Sequence, residues 1–157
     1  MTLNIGDTAP TFVLRNSATE EIDLKSYQGK NVVLLFFPLA FTGVCTTELC
    51  EMRDNLAKYN DMKAEVLAIS VDSPFTLAKF KELNELNFPL LSDFNKDVSR
   101  AYHALYEDFV LGLKGVSKRA AFVIDASGVI KYAEVLENAG NLPNFESIQT
   151  ALSELNK

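Results

Sequence analysis

The pattern of apolar and polar positions is strongest in the second quarter of the chain. Six consecutive apolar residues, Val32 to Phe37, are typical of a strand buried on both faces, and Pro38 ends the run. A short loop follows, and apolar residues then recur at the spacing of one helical face. These residues are Leu49, Met52, Leu56 and Tyr59. The next apolar run, 65–71, predicts a second buried strand, parallel to the first and reached by a right-handed crossover.

Hairpins are predicted near both ends of the chain. Segments 11–15 and 20–24 flank a polar turn and indicate an N-terminal hairpin. Segments 119–124 and 129–135 flank the sequence Asp-Ala-Ser-Gly, a strong turn signal because Gly128 can adopt a positive φ.

Two further helices are predicted by capping signals and apolar spacing. The first begins at the Ser-Pro pair 73–74 and the second near Pro143. Their expected inward residues are Leu77, Phe80, Leu83 and Leu86 for the first, and Phe145, Ile148, Leu152 and Leu155 for the second. Between these helices we expect an extended segment at 88–92, a short helix at 97–102 and a loop over 103–118.

The order of elements, with one half of the sheet parallel and the other antiparallel, predicts an α/β protein with a thioredoxin-like fold. A mixed central sheet would be flanked by helices, with the N-terminal β-hairpin as an extension. A chain of 157 residues with 48% hydrophobic and 23% charged residues suits one domain covering 1–157. The net charge of −6 argues against nucleic acid or an anionic membrane as partner. The N-terminus lacks the features of a secretory signal, so we expect a cytoplasmic protein.

Both cysteines of the chain fall on the helix that follows the first buried strand. Cys45 lies four residues before Leu49, which places it on the inward stripe in the first turn. Cys50 lies five residues further on, so in an intact helix the two Cα atoms would be about 8–9 Å apart. A disulfide tolerates at most about 7 Å between Cα atoms. The two thiols can therefore bond only if the first helical turn unwinds.

The position of Cys45 at the start of a helix favours a reactive thiolate. Unpaired N–H groups and the positive end of the helix dipole stabilise an anion there. Thr42, three residues earlier, brings a hydroxyl near the expected cap position. Position alone leaves a second interpretation open, in which Cys45 is simply a small buried side chain.

Residues 38–45, PLAFTGVC, carry the pattern P-x3-T-x2-C, which resembles the active-site signature of peroxiredoxins. GDTAPTFVL at 6–14 is similar to the opening of these proteins, LKSYQGKNVVLLFFP at 24–38 to their first core strand, and SKRAAFVID at 117–125 to a segment that carries an arginine. The resemblance spans nearly the whole chain. Within the family, PLAFTGVC is similar to the alkyl hydroperoxide reductase E branch, whereas the Cys-x4-Cys spacing is that of the atypical 2-Cys, bacterioferritin-comigratory (Q-type) branch.

The resemblance implies a thiol peroxidase that reduces hydrogen peroxide and organic hydroperoxides. Cys45 would attack the O–O bond and become a sulfenic acid, with Thr42 and Arg119 at the positions of the family's threonine and arginine. Cys50 would resolve the sulfenic acid as an intramolecular disulfide, unless it is a chance cysteine at this spacing. Pro38 would end the strand and shield Cys45 from water. The alternative for Arg119 is a solvated residue at the start of a strand.

Three further residues are candidates for the substrate pocket. Glu48 lies one turn after Cys45, where the family commonly has an acidic or amide residue. It would hold the arginine, or only satisfy the helix N-terminus. Leu39 and Phe41 make the loop apolar and would form a collar for organic hydroperoxides, or else pack in the core.

The resemblance implies recycling by thioredoxin, with a glutaredoxin-like dithiol as an alternative, and a possible homodimer. We expect no cofactor and no metal, since His103, the only histidine, has no ligand-like spacing to the cysteines. Two other functions compete with the peroxidase. One is a thioredoxin-like disulfide exchanger, which the Cys-x4-Cys spacing disfavours. The other is a peroxide-sensing redox switch, in which the unwound turn exposes a surface for a partner.

Overall fold

The apolar run that begins at Val32 forms an interior strand of a mixed sheet in the computed structural model, which describes residues 3–156. The strands are β1 Val13–Asn16, β2 Glu21–Asp23, β3 Asn31–Phe36, β4 Ala64–Ser70, β5 Leu90–Ser92, β6 Leu105–Tyr106, β7 Val116–Ser117, β8 Arg119–Ile124 and β9 Ile130–Leu136. The α-helices are α1 Gly43–Asp54, α2 Leu56–Asp61, α3 Pro74–Leu83, α4 Asp97–Ala101 and α5 Phe145–Leu155. Short 3-10 turns lie at Leu24–Tyr27 and Val110–Gly112.

Seven of the strands form one sheet in the order β2-β1-β5-β4-β3-β8-β9. β3, β4 and β5 are parallel, whereas β8 runs antiparallel to both β3 and β9. Phe36 at the carboxyl end of β3 lies opposite Ala120, near the start of β8. This register brings the loop after β3 close to Arg119, the first residue of β8.

Side chains of β3 are buried on both faces of the sheet, as its unbroken apolar run predicts. Val33 and Leu35 pack against α1, α2, α3 and α5, through a layer of apolar residues that includes Cys45, Leu49, Met52, Tyr59, Phe80 and Ile148. Val32, Leu34 and Phe36 face the opposite layer, which contains Phe12, Leu24, Val98 and Tyr102. Cys45 therefore belongs to the layer on the α1 face of the sheet.

The N-terminal hairpin extends the central sheet at one edge, as predicted. Arg15 of β1 lies opposite Ser92 of β5, so β1 and β2 extend the sheet at the β5 edge. Within the segment predicted as loop, 103–118, the chain forms a small second hairpin of β6 and β7. Strands of two residues are too short to show a period of two in the sequence.

Two helix predictions need correction. The predicted helix after β3 is divided at Asn55 into α1 and α2, although the inward stripe continues to Tyr59 in the second piece. Leu83 is 60% exposed, because strict spacing by three rotates about 60° per step away from the inward face. Leu86 is buried from the loop beyond α3. No helix within residues 3–156 has the length and apolar character needed to cross a membrane.

Candidate active site

Cys45 lies in the first turn of α1, just beyond the carboxyl end of β3. Its side chain is 1% exposed and packs in the apolar layer on the α1 face of the sheet. Thr42 is the N-cap residue, with an extended backbone whose carbonyl accepts the first helical bond from the N–H of Thr46 at 2.9 Å. The hydroxyl of Thr42 does not cap the helix and instead donates to the carbonyl oxygen of Leu39 at 2.7 Å.

Arg119 brings a positive charge to the sulfur atom. Its Nη2 donates to Cys45 Sγ at 3.3 Å, and its Nη1 donates to Glu48 Oε2 at 2.6 Å. The carbonyl oxygen of Ala139 accepts from Nη2 at 2.9 Å and from Nε at 3.2 Å. Arg119 is 2% exposed and Glu48 is fully buried, so Arg119 is not a solvated residue at a strand end. Three partners, two on α1 and one in the loop after β9, hold the planar guanidinium in one orientation.

The pKa values of Glu48 and Arg119 are both raised. Burial raises the pKa of Glu48 to about 7, although the charge of Arg119 and its hydrogen bond act in the opposite direction. Burial lowers the pKa of Arg119, but the charges of Glu48 and Cys45 more than offset this, and the net shift is upward. Arg119 is therefore a permanent cation beside the Cys45 sulfur.

The loop between β3 and α1 has a buried start and an exposed end. Pro38 is buried and Leu39 is half-buried. Phe41 is 52% exposed and has a φ of 68°, and its ring contacts Phe80 edge-on with 5.1 Å between the ring centroids. A bulky residue in the left-handed region is strained, so contacts elsewhere must hold this loop in place.

Cys50 lies apart from this group of charged residues. It is half-buried, and its Sγ donates to Asn84 Oδ1 at 3.8 Å, where α3 ends against α1. Both cysteines are free thiols in the structure. Cys45, Glu48 and Arg119 are thus brought into direct contact, whereas Cys50 faces a different neighbour.

Three contacts of the site were not anticipated in the sequence. Ala139 contributes only a backbone carbonyl, for which a sequence carries no signal. Asn84 is the C-cap residue of α3, and it contacts Cys50 because the end of α3 packs against α1. Asp72 follows β4 and accepts a bond from the N–H of Ala40 at 2.8 Å. Its position was open to prediction, since the carboxyl ends of parallel strands meet at one edge of a sheet.

Comparison with known proteins identifies the family. The sequence profile of the AhpC/TSA family matches residues 5–133, more than half of the chain. The chain belongs to the AhpC/TSA family. Alkyl hydroperoxide reductase E of Mycobacterium bovis is 43% identical over 136 residues, which cover 85% of this chain and 86% of that protein.

Solved structures agree with the assignment to the AhpC/TSA family. Peroxidoxin BcpB of Mycobacterium tuberculosis superposes with a TM-score of 0.82 at 29% identity, covering 98% of this chain and 97% of that one. A mutant of PrxQ from Xylella fastidiosa superposes with a TM-score of 0.88 at 25% identity, covering 100% of this chain and 99% of that one. The predicted peroxiredoxin family, thioredoxin-like fold and enzyme class, a thiol peroxidase, are confirmed.

Proposed function

We propose that this AhpC/TSA protein reduces hydrogen peroxide and organic hydroperoxides through Cys45, and that Cys50 resolves the oxidised sulfur. The observation that carries the proposal is the 3.3 Å contact between Arg119 Nη2 and Cys45 Sγ in a site closed to solvent. A donor fixed where charge moves in the transition state contributes about 10²–10³ in rate.

In the first step the Cys45 thiolate attacks one oxygen of the hydroperoxide. An S–O bond forms as the O–O bond breaks, and the sulfur is oxidised to a sulfenic acid. The other oxygen leaves as alkoxide or hydroxide and takes up a proton to give alcohol or water. Arg119 stabilises the negative charge that passes from sulfur to oxygen, and Glu48 and Ala139 hold Arg119 in position. Buried Pro38 helps to keep water from the sulfur.

In the second step Cys50 reaches Cys45 after the start of α1 unwinds. The Cys50 thiol loses its proton, and its thiolate forms the S–S bond as the S–O bond of the sulfenic acid breaks. The departing hydroxide takes up a proton and becomes water. The sequence GVCTT at 43–47 contains residues of low helix propensity, and Thr42 gives no side-chain cap. The hydroxyls of Thr46 and Thr47 bond back to the carbonyls of Thr42 and Gly43 at 2.8 and 3.1 Å, an arrangement that slightly destabilises helices. These features support unwinding at this end of α1.

A reduced external dithiol completes the cycle. It transfers two electrons to the Cys45–Cys50 disulfide, becomes a disulfide itself and restores both thiols. Thioredoxin is the partner we propose, with a glutaredoxin-like dithiol as the alternative. Such a dithiol stays reduced in the cytoplasm, which is the location we propose.

The substrate approaches past the loop between β3 and α1 in this proposal. Half-buried Leu39 and exposed Phe41 form an apolar collar that suits the organic part of a hydroperoxide. Alkyl hydroperoxide reductase E, 43% identical, carries such a substrate in its name. Exposed Phe41 is also suited to contact a second copy of the chain in a homodimer.

The test is peroxide consumption by the wild type, Cys45→Ser and Cys50→Ser with a thioredoxin system. We expect Cys45→Ser to be inactive. Cys50→Ser should consume one equivalent of peroxide and then stop, leaving a sulfenic acid that dimedone traps, as seen by intact mass. Full activity of Cys45→Ser would refute the proposal, and continued turnover of Cys50→Ser would refute the role of Cys50.

A further inference from the structure

One peptide unit in the loop between β3 and α1 is bonded at both of its polar ends. The N–H of Ala40 donates to Asp72 Oδ2 at 2.8 Å. The carbonyl oxygen of the same unit belongs to Leu39, and it accepts from the hydroxyl of Thr42 at 2.7 Å. A carboxylate on β4's carboxyl-terminal loop is therefore linked through a single peptide to the hydroxyl three residues before Cys45.

Asp72 is itself held by the ends of two neighbouring strands. The hydroxyl of Ser70, the last residue of β4, donates to Asp72 Oδ2 at 2.6 Å, and the N–H of Asp72 donates to Ser70 Oγ at 3.2 Å. The hydroxyl of Ser92, the last residue of β5, donates to the carbonyl oxygen of Asp72 at 2.6 Å. The position of the carboxylate is thus fixed by the carboxyl ends of β4 and β5.

These bonds determine what the Thr42 hydroxyl can do. A hydroxyl has one proton to donate, and that of Thr42 is directed to Leu39, so the lone pairs of its oxygen remain free to accept. A charged acceptor at one end of a peptide polarises it and strengthens the bond made at the other end. The strained φ of 68° at Phe41, between Ala40 and Thr42, shows that the loop needs such restraints.

We propose that Asp72 is a positioning residue of the peroxidase site, which acts through the Leu39–Ala40 peptide to hold the Thr42 hydroxyl as an acceptor for the O–H of the hydroperoxide. This rests on the proposed function, because it takes Cys45 as the atom that attacks the peroxide. Asp72 does not touch the substrate. Its effect reaches the reaction through the orientation of Thr42.

The test is a double-mutant cycle on the first oxidation of Cys45, measured in a single turnover by stopped flow. We expect Thr42→Val to slow this step about a hundredfold, because it removes the acceptor. Asp72→Asn keeps an acceptor but loses the charge, and we expect it to slow the step about tenfold. In the Thr42→Val background, Asp72→Asn should have no further effect, whereas in a Thr42→Ser background it should again slow the step about tenfold.

Several outcomes would overturn the inference. Equal rate losses from Asp72→Asn with and without the Thr42 hydroxyl would show that Asp72 only supports the fold. An unchanged rate for Asp72→Asn alone would refute its role. If Asp72→Asn fails to fold, Ser70→Ala serves instead, since it removes one donor to Oδ2 and leaves the carboxylate. It should slow the step about twofold, again only when Thr42 keeps its hydroxyl.

Asp93→Asn is the matched control. Asp93 is a second carboxylate at this edge of the sheet, is buried, and accepts the N–H groups of Val98 and Ser99 at 3.1 and 2.6 Å. Its replacement should lower the free energy of unfolding and leave the rate of Cys45 oxidation unchanged.

An inactive wild type would mean that the proposed function fails. An active wild type without coupling between Asp72 and Thr42 would overturn only the role of Asp72.

Discussion

The two cysteines of α1 lie five residues apart and have opposite surroundings. Cys45 is 1% exposed and accepts a hydrogen bond from a buried cation, Arg119. Cys50 is half-buried and donates to a neutral amide oxygen of Asn84. A rotation of about 140° around the helix is enough to separate the two thiols in this way. One short segment thereby holds one sulfur beside a buried cation and a second sulfur apart from it.

A cation also lies near Cys50, but its surroundings differ from those of Arg119. Arg53, one turn after Cys50, donates to the carbonyl oxygen of Asn84 at 2.6 Å and pairs with Asp54 at 2.9 Å. Its side chain is 28% exposed, and solvent and Asp54 both weaken its field. Arg119 pairs with Glu48 out of contact with solvent, where charge interactions are stronger. Burial, more than the presence of a cation, distinguishes the two sites.

Removing the buried cation gives the largest expected effect. Arg119→Met should slow the oxidation of Cys45 by peroxide about a thousandfold, because the donor to the sulfur is lost. Stopped-flow kinetics with excess peroxide measures this rate. Lys118→Met is the control, since the neighbouring Lys118 pairs with largely exposed Glu137 at 2.8 Å and should be dispensable. Similar rates for the two variants would contradict the role of Arg119.

Replacing Glu48 should give the next largest effect, a change in how the free energy of unfolding depends on pH. Burial raises the pKa of this carboxyl from 4.5 to about 7, so unfolding releases a proton between these values. The contribution of Glu48 to the free energy of unfolding therefore falls as the pH rises from 5 to 8, by about 3 kcal/mol. Urea unfolding of the wild type and Glu48→Gln across this range measures the difference.

The control for this measurement is Glu51→Gln, on the exposed side of the same helix. Its unfolding free energy should follow that of the wild type at every pH. A difference between the wild type and Glu48→Gln that stays constant from pH 5 to pH 8 would show that Glu48 is ionised throughout.

The smallest expected effect concerns the surroundings of Cys50. Asn84→Ala removes the acceptor for the Cys50 thiol in the folded helix, so disulfide formation after one equivalent of peroxide should become about threefold faster. Intact mass on quenched samples gives the rate. Asn87→Ala is the matched control, because Asn87 donates to the carbonyl oxygen of Arg53 and not to Cys50. A slower reaction in Asn84→Ala would indicate that Asn84 assists the approach of Cys50.

Much of the fold could be predicted because it depends on local patterns. The unbroken apolar run gave β3, the Ser73-Pro74 cap gave the start of α3, and the Asp125–Gly128 turn gave the hairpin of β8 and β9. The break at Asn55 was missed because the apolar stripe continues across it. The small hairpin in 103–118 was missed because its strands have two residues each.

Only those features of the candidate site that depend on side-chain type and helix geometry could be predicted from the sequence. Helical rotation predicts that Cys45 faces inward and that Cys50 is turned away from it. The contacts that Arg119 makes with Cys45, Glu48 and Ala139 depend on the register between β3 and β8 and on the course of the loop after β9. Such long-range contacts leave no periodic signal in a single sequence.

The central claim is that Cys45 and Cys50 meet only after the start of α1 unwinds. Backbone hydrogen exchange of the reduced protein and of its disulfide form tests this most directly. We expect residues 46–50 to lose protection in the disulfide form, while β3, β4 and β8 keep theirs. A Cys45–Cys50 disulfide with unchanged protection over 46–50 would contradict the claim, and so would the absence of this disulfide after treatment with one equivalent of peroxide.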